Sequence, residues 1–209
     1  MGQDLGSING SGSGDLVNTI EQDSTEYLYW YRPNFFNLKE RKEIVSYITK
    51  NHTDLEPKED GAQTADGLSK KKTKTLRIPW RKVKGLTRNL GSIIDHDNEF
   101  NFGYNLFPMN DNYNVLLNIY SSKEKGEYDW HTDTNGSIHN DCKLTALVNL
   151  SEKYEGGDFL IFNQGVVRVD VFKPGTLLII RSYLNHKVEP VTKGTRKTLT
   201  IFRHGPKMK

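Results

Sequence analysis

With 209 residues, of which 35% are hydrophobic, the chain has room for one domain of ordinary size, and two full domains would be a tight fit. The net charge of +3 is too small to define a partner, and no apolar run approaches the length of a transmembrane helix, so we expect no membrane association. The single cysteine, Cys142, excludes an internal disulfide, and no N-terminal stretch resembles a signal peptide. We therefore expect a cytoplasmic protein.

The first 24 residues are rich in glycine, serine, asparagine and aspartate and carry few large apolar side chains. Such a composition buries too little surface to offset the entropy of ordering, so it predicts a flexible tail over residues 1–24. A single domain is then expected over residues 25–209. It begins with an aromatic stretch, Glu26–Tyr31, that is typical of a strand. Asn37 is suited to cap a helix from Leu38 to about Asn51, where apolar residues recur at helical spacing.

A long segment without periodicity follows this helix. Residues 54–75 are charged and contain glycine, which predicts a mobile loop of the kind that often contacts substrate. Pro79 suggests that Leu76–Trp80 is a short edge strand, because proline cannot donate to a sheet ladder. A second helix is indicated around Leu86–Ile94. Residues 25–113 are therefore interpreted as a supporting region of helices and strands.

The supporting region contains a run of positive charge. Residues 70–84 include eight lysines and arginines and no acidic residue. The ordinary interpretation is a solvated loop or edge strand. The alternative is a landing surface for an acidic polypeptide or for nucleic acid.

From residue 114 the pattern changes to short strands separated by turn residues, which is typical of an all-β sandwich or barrel. Eight antiparallel strands in two sheets form a jelly roll, or double-stranded β-helix, so we predict a mainly β fold with flanking N-terminal helices and a core over residues 114–206. The eight predicted strands are Val115–Tyr120, Tyr128–Asp133, Lys143–Leu150, Asp158–Phe162, Val166–Phe172, Thr176–Ile180, His186–Val191 and Arg196–Phe202.

Two side chains of the second predicted strand can bind a metal. His131 and Asp133 stand two residues apart, so strand alternation places both on one face. His186 opens the seventh predicted strand, which a jelly roll can bring against the end of the second. Two imidazoles and one carboxylate form a facial triad that leaves coordination positions open. The ordinary alternative is a set of histidines that hydrogen-bond their neighbours.

An arginine follows on the last predicted strand. Arg196 lies ten residues after His186, and Thr198, Thr200 and Phe202 share its face by period two. An arginine inside a barrel needs an anion, and its planar fork matches a carboxylate, so Arg196 could hold one end of a dicarboxylate whose other end chelates the metal. The alternative is a structural ion pair with Glu189 or another acidic residue.

These residues, with the segments around them, resemble the Fe(II)- and 2-oxoglutarate-dependent dioxygenases, and specifically compact bacterial and phage members of their prolyl 4-hydroxylase-like branch. The similarity covers residues 114–206. The segments that carry it are Asn118–Tyr120, Tyr128–Asp133, Leu150–Ser151, Tyr154–Asp158, His186–Arg196 and His204–Pro206.

The resemblance implies the reactants and the main ligands. His131, Asp133 and His186 would bind Fe(II), and Arg196 would pair with the distal carboxylate of 2-oxoglutarate. O2 is the second co-substrate that the resemblance implies, and ascorbate the accompanying reductant. The implied reaction is oxidative decarboxylation of 2-oxoglutarate to succinate and CO2, coupled to hydroxylation of an unactivated C–H bond.

Three further residues are assigned to the 2-oxoglutarate site by the same resemblance. Tyr120 matches the tyrosine whose hydroxyl helps to hold the distal carboxylate. Asn149 and Thr200 are included because their predicted positions face the barrel interior. Asn149 stands where relatives often have an aromatic residue.

The resemblance suggests a peptidyl proline or a related protein residue as the substrate. One alternative is an AlkB-like nucleic-acid demethylase, which the basic run would suit. Those enzymes have a second arginine in the last strand, and Arg203 is one position farther from Arg196 than their pattern requires. The other alternative is a jelly-roll binding protein without turnover, which an intact set of ligands does not favour.

Overall fold

The computed structural model describes residues 11–13, 27–54, 71–111, 113–134 and 140–207. Apart from a three-residue strand at 11–13, the predicted tail over residues 1–24 lies outside these ranges. Residues 55–70 of the predicted loop also lie outside them, and the end of that predicted loop is already part of two strands.

The N-terminal region combines three helices with short strands. Its helix α1 begins and ends where the sequence predicts. A capping box fixes its start, because Asn37 accepts a hydrogen bond from the Glu40 backbone N–H while the Glu40 side chain accepts from the Asn37 N–H. The elements are β1 Ser11–Ser13, β2 Tyr29–Arg32, α1 Leu38–Asn51, β3 Thr53–Asp54, β4 Lys71–Lys72, β5 Lys74–Pro79, α2 Trp80–Val83, a 3₁₀ turn Lys84–Leu86 and α3 Leu90–Asn101.

The C-terminal region consists of strands. All eight predicted strands are present, with one further strand at Tyr154–Gly156 and a last strand longer than predicted. The elements are β6 Asn114–Ser121, a 3₁₀ turn Ser122–Glu124, β7 Glu127–His131, β8 Asn140–Asn149, β9 Tyr154–Gly156, β10 Phe159–Phe162, β11 Val166–Arg168, β12 Leu177–Arg181, β13 Asn185–Val188 and β14 Val191–Pro206.

These strands form two sheets. The major sheet has the order β1-β2-β12-β8-β14-β6-β5-β3 with β9 added beside β14, and the minor sheet has the order β11-β10-β13-β7-β4. All neighbours pair antiparallel except β1 and β2. The predicted mainly β jelly-roll class with supporting helices is confirmed.

The predicted edge position of Leu76–Trp80 is wrong, because β5 lies between β6 and β3. Proline is tolerated there for a local reason. The two-residue strand β3 pairs only with Leu76 and Arg77, so Pro79 faces no partner on that side.

Strand alternation in the major sheet separates two apolar layers. In β12, Leu177 and Ile179 pack with the helices, whereas Leu178 and Ile180 pack between the two sheets. In β6, β8 and β14 the same alternation sends most apolar side chains towards the helices, and the polar side chains that face the minor sheet stand beside Leu116, Leu147 and Phe202. The result is a layer of helices, a major sheet and a minor sheet, with a cavity between the sheets. None of the helices in the described ranges has the length and apolar character needed to cross a membrane.

Candidate metal centre and active site

Three potential metal ligands meet at one end of the minor sheet. His131 is the last residue of β7, and the register of β7 with β13 places His186 directly opposite it. Asp133 does not belong to the strand as predicted, because β7 ends at His131. Its backbone N–H instead donates to the Ser182 carbonyl at 2.9 Å, which holds Asp133 beside the two histidines. One ligand atom of each residue lies within 4.8 Å of the others.

The orientation of both imidazoles suits metal binding through Nε2. His131 Nδ1 lies 2.7 Å from the Asp129 carbonyl, and His186 Nδ1 lies 2.8 Å from the Leu184 carbonyl. A carbonyl only accepts, so in the neutral form of each ring Nδ1 carries the proton and Nε2 presents a lone pair. Those Nε2 atoms lie 3.8 Å and 3.4 Å from the Asp133 carboxylate oxygens.

The electrostatics of the three groups are strongly coupled. Burial and the neighbouring His186 lower the pKa of His131 to about 4. Burial also disfavours the charged form of His186, but the charge and hydrogen bond of Asp133 outweigh it and raise the His186 pKa. Burial works against the Asp133 carboxylate as well, yet His186 lowers its pKa below the ordinary value. The cluster therefore holds an ionised carboxylate and a neutral His131.

A buried hydroxyl group, that of Thr145, holds the Asp133 carboxylate in place. Thr145 Oγ1 donates to Asp133 Oδ2 at 2.8 Å, and the Ser182 hydroxyl lies 3.0 Å from Thr145 and 3.1 Å from the Cys142 sulfur. Burial raises the pKa of Cys142 to about 12, so the thiol stays protonated and serves as a small buried group. Thr145 was not predicted as a site residue, since its role depends on the pairing of β8 with β12.

Beside the ligands lies a cavity of about 220 Å³ between the sheets, and Arg196 lines it. The side chain is buried, with 1% exposure, and its Nε and Nη2 atoms have no hydrogen-bond partner among the described residues. The guanidinium carbon lies 5.2 Å from the Tyr120 ring and 5.3 Å from the Phe172 ring. Among the described residues, no ion pair joins Arg196 to Glu189 or to any other acidic residue, so the structural ion pair is not formed.

Other inward-facing residues of the major sheet extend this polar surface. Thr198 and Thr200 line the cavity as predicted from their spacing, and the Thr198 hydroxyl is buried without a hydrogen-bond partner among the described groups. Asn118 was missed as a site residue. It accepts from Thr75 at 2.9 Å and donates to Thr200 at 3.0 Å, which fixes its amide.

Asn149 does not line the cavity, although its predicted position faces the interior. Its amide donates to the Tyr154 hydroxyl and the Phe172 carbonyl, and its oxygen accepts from the Ser151 N–H. These partners use both ends of the side chain, so Asn149 is a satisfied core residue that supports the neighbouring chain.

The basic run contributes to the cavity from two sides. Lys71 on β4 and Arg77 on β5 both line it. The Lys71 ammonium lies 5.1 Å from the Tyr128 ring, and that ring stacks on His131 with centroids 3.4 Å apart. The pairing of β4 with β7 that brings Lys71 here joins residues more than 50 positions apart, and no local pattern predicts it.

A larger cavity of about 540 Å³ shares Phe159 with the first. Its lining is formed by the Glu152–Asp158 turn, the segment around Phe172 and Lys193. None of the three metal-ligating residues faces it. The chemistry of the site therefore belongs to the smaller cavity.

The segment that carries these groups has a family match. Residues 115–204 match the 2OG-Fe(II) oxygenase superfamily. The resemblance noted in the sequence is confirmed, and the match supports Fe(II), 2-oxoglutarate and O2 as the reactants of this oxygenase segment. No curated protein sequence matches the chain.

Solved structures share the fold at low sequence identity. A prolyl-4-hydroxylase from Pseudomonas putida is 15% identical, with a TM-score of 0.62 over 86% of this chain and 94% of that one. A prolyl hydroxylase from Trichoplax adhaerens, solved with a hypoxia inducible factor peptide fragment, is 17% identical, with a TM-score of 0.58 over 84% and 83%. The viral collagen prolyl hydroxylase of Paramecium Bursaria Chlorella virus-1, in complex with 2OG, is 14% identical, with a TM-score of 0.59 over 85% and 96%. These likenesses establish the jelly-roll architecture of the oxygenase segment.

The residues present fit Fe(II) and a dicarboxylate. Two imidazoles and a carboxylate are the donor set of open non-haem iron sites. A buried guanidinium with unused N–H groups is the partner that a second carboxylate requires, because leaving such donors unpaired costs about 1–3 kcal/mol each.

Proposed function

We propose that the protein is a Fe(II)- and 2-oxoglutarate-dependent dioxygenase that hydroxylates an unactivated C–H bond of a peptidyl proline or a related protein residue. Iron, 2-oxoglutarate and O2 would together supply the oxidative decarboxylation that yields succinate, CO2 and the hydroxyl group. His131, Asp133 and His186 would hold the metal. The observation that carries the proposal is the unpartnered Arg196 guanidinium in the cavity beside these three ligands.

The metal-ligating side chains are held in a productive orientation. The carbonyls of Asp129 and Leu184 fix the tautomer of the two histidines. Thr145 fixes the rotation of the Asp133 carboxylate. Each ligand therefore needs little reorganisation to bind a cation.

The opposite wall of the cavity would position the co-substrate. Arg196 would pair with the distal carboxylate of 2-oxoglutarate, and the Thr198 hydroxyl can donate to the same group. Tyr120 packs against Arg196 and limits access of water to it. Thr200, held by Asn118, can hydrogen-bond the co-substrate nearer the metal.

The outer part of the cavity is apolar enough to accept an aliphatic ring. Leu116, Leu147 and Phe202 line it together with Thr200. A peptide substrate is supported by the fold shared with prolyl hydroxylases, one of which was solved with a peptide.

The nucleic-acid alternative is not favoured by the position of the second arginine. Arg203 lies on the helix side of the major sheet, where its guanidinium is 2.6 Å from Asp95 and donates to the Phe107 carbonyl. It does not line the cavity.

Anaerobic titration of the full chain with Fe(II) and 2-oxoglutarate tests the proposal. We expect a metal-to-ligand charge-transfer band that requires both reactants and that is absent in Asp133→Ala. Admission of O2 should then form succinate, and proline-containing peptides should gain 16 mass units. A folded protein that shows no band, or a band without succinate, would contradict an active dioxygenase and favour a binding protein.

A further inference from the structure

The cavity contains a second arginine that the proposed co-substrate does not use. Arg77 lies on β5 opposite Leu116 of β6, and Leu116 lies opposite Thr200 of β14. The three side chains therefore share one row on the inner face of the major sheet, and all three line the cavity. Among the residues that the structure describes, the half-buried Arg77 side chain forms no hydrogen bond or ion pair.

The proposed co-substrate leaves no carboxylate for Arg77. Along β14, Thr200 is four residues from Arg196, a backbone separation of about 13 Å, and Arg77 lies two strands to the side of Thr200, or about 10 Å. A five-carbon dicarboxylate that pairs with Arg196 and chelates the metal has both of its carboxylates engaged. Arg77 is therefore a separate anion-binding group in the same cavity.

The surroundings of Arg77 indicate what kind of anion would approach it. Leu116 and Phe202 form an apolar wall beside it, and the Lys71 ammonium contributes a second positive charge from the minor sheet. An apolar wall in a cavity that also holds two cationic groups suits a ligand with an aliphatic part and a carboxylate. A peptide that presents a ring to the metal and an acidic side chain to Arg77 has this form.

The same residues do not suit a nucleic-acid backbone. Within the basic run, Lys72 pairs with Glu127 at 2.5 Å, Lys84 with Asp111 at 2.6 Å, and Lys74 lies 3.6 Å from Asp54. Three of the positive charges are thus balanced by local acids. Binding of a phosphate backbone depends on several phosphate contacts at once, which the remaining charges near the cavity do not provide.

We propose that Arg77 is a specificity-determining residue that pairs with an aspartate or glutamate of the peptide substrate, close in sequence to the residue that is hydroxylated. This inference rests on the proposed function, since it assigns the substrate class of the same site.

The test uses the immobilised full chain with Fe(II) and 2-oxoglutarate under anaerobic conditions. The probes are pools of ten-residue peptides with a central proline and uncharged flanks, in which one position at a time is either acidic or the matching amide. We expect retention of the acidic form about tenfold above the amide form at one position. Arg77→Gln should bring that ratio to one, and Arg77→Glu should bring it below one, so that the amide form is retained better than the acidic form.

Lys82→Gln is the matched control, because Lys82 is an exposed member of the same basic run that does not line the cavity. It should keep the wild-type ratio. Equal retention of acidic and amide peptides by the wild type, or a preference that survives Arg77→Gln, overturns the inference. The inference is also overturned if the protein binds a ten-nucleotide single-stranded oligothymidine more tightly than the acidic peptides and Arg77→Gln weakens that binding. Acidic selection without succinate formation after O2 is admitted would instead overturn the proposed function and leave the role of Arg77 intact.

Discussion

The two sheets that face each other across the cavity contribute chemistry in different ways. The minor sheet supplies its two histidines from the five-residue β7 and the four-residue β13, with Asp133 just past the strand end. The major sheet supplies Arg196, Thr198 and Thr200 from the interior of the sixteen-residue β14. Groups at short strand ends can be changed with little effect on the core, whereas groups inside β14 are part of it. The difference predicts that metal binding is separable from folding on the minor sheet, whereas co-substrate binding is coupled to folding on the major sheet.

The largest effect is expected from removal of a ligand on the minor sheet. Asp133→Ala and His131→Ala should abolish succinate formation that depends on Fe(II) and 2-oxoglutarate, because two ligands do not complete the facial set. Thermal unfolding should change little, since neither side chain belongs to the apolar clusters. Asp129→Ala removes an exposed carboxylate of the same strand and should keep activity. Turnover in both ligand variants would contradict the assignment.

A second large effect is expected on the major sheet. Arg196→Met should raise the KM for 2-oxoglutarate by about 100-fold or more, because a buried charge pair contributes about 2–5 kcal/mol to binding. The free energy of unfolding of the ligand-free protein should rise by about 2 kcal/mol or more, since two unpaired buried donors disappear.

Steady-state kinetics and chemical denaturation measure these two quantities. Arg168→Met, which changes an exposed arginine paired with Asp158 and Asp170, should leave the KM unaltered. An unchanged KM in Arg196→Met would show that the co-substrate is held elsewhere.

The third prediction concerns pH and the minor sheet. His131, with a pKa of about 4, is neutral at pH 6, but His186, with its raised pKa, still carries a proton that the metal must displace. Metal affinity should therefore rise by up to about tenfold per pH unit until the pH passes the His186 pKa. In the metal-free protein, the stabilisation from this proton is fully present below the ordinary histidine pKa of about 6.5 and is lost as the pH rises through the raised value.

Calorimetric titration with metal in two buffers of different ionisation enthalpy measures the proton release. Near pH 6.5 we expect release of more than half a proton per metal ion, because the His186 pKa is raised above that value. An affinity that is independent of pH between 6 and 8 would contradict the raised pKa of His186.

The smallest effects compare two buried asparagines of the major sheet. Asn149→Ala should lower the free energy of unfolding by about 3 kcal/mol, because three partners lose a hydrogen bond, and should leave the KM for 2-oxoglutarate unchanged. Asn118→Ala should cost about 1 kcal/mol and raise that KM a few-fold, since Thr200 loses its support. Denaturation and kinetics of the pair separate the two roles, and a raised KM in Asn149→Ala would place that residue in the co-substrate site after all.

Local patterns were sufficient for much of the fold and pointed to the residues that form the candidate metal centre. The capped helix at Leu38–Asn51 and the eight strands follow from periodicity and turn residues, and the spacing of His131 and Asp133 is visible in the chain. Groups that depend on pairing across strands were not predictable. Asn118 became a site residue through its bonds to Thr75 and Thr200, which come from different strands, and β4 reaches β7 only through long-range pairing. The inward position of Asn149 likewise does not show which neighbours bind its side chain, so its hydrogen bonds to Tyr154 and Phe172 were not predictable.

The register that sets His186 opposite His131 has a consequence for the motion of the minor sheet. The pairing of β7 with β13 is interrupted by a bulge directly after His186, so the backbone ladder is weakest beside the ligands. A bound cation would act as a cross-link between the two strands, and their local opening would require its release. Amide hydrogens of β7 and β13 should then exchange more slowly as metal concentration rises, while those of β14 should not respond. A bound metal ion would therefore also stabilise the minor sheet against local opening.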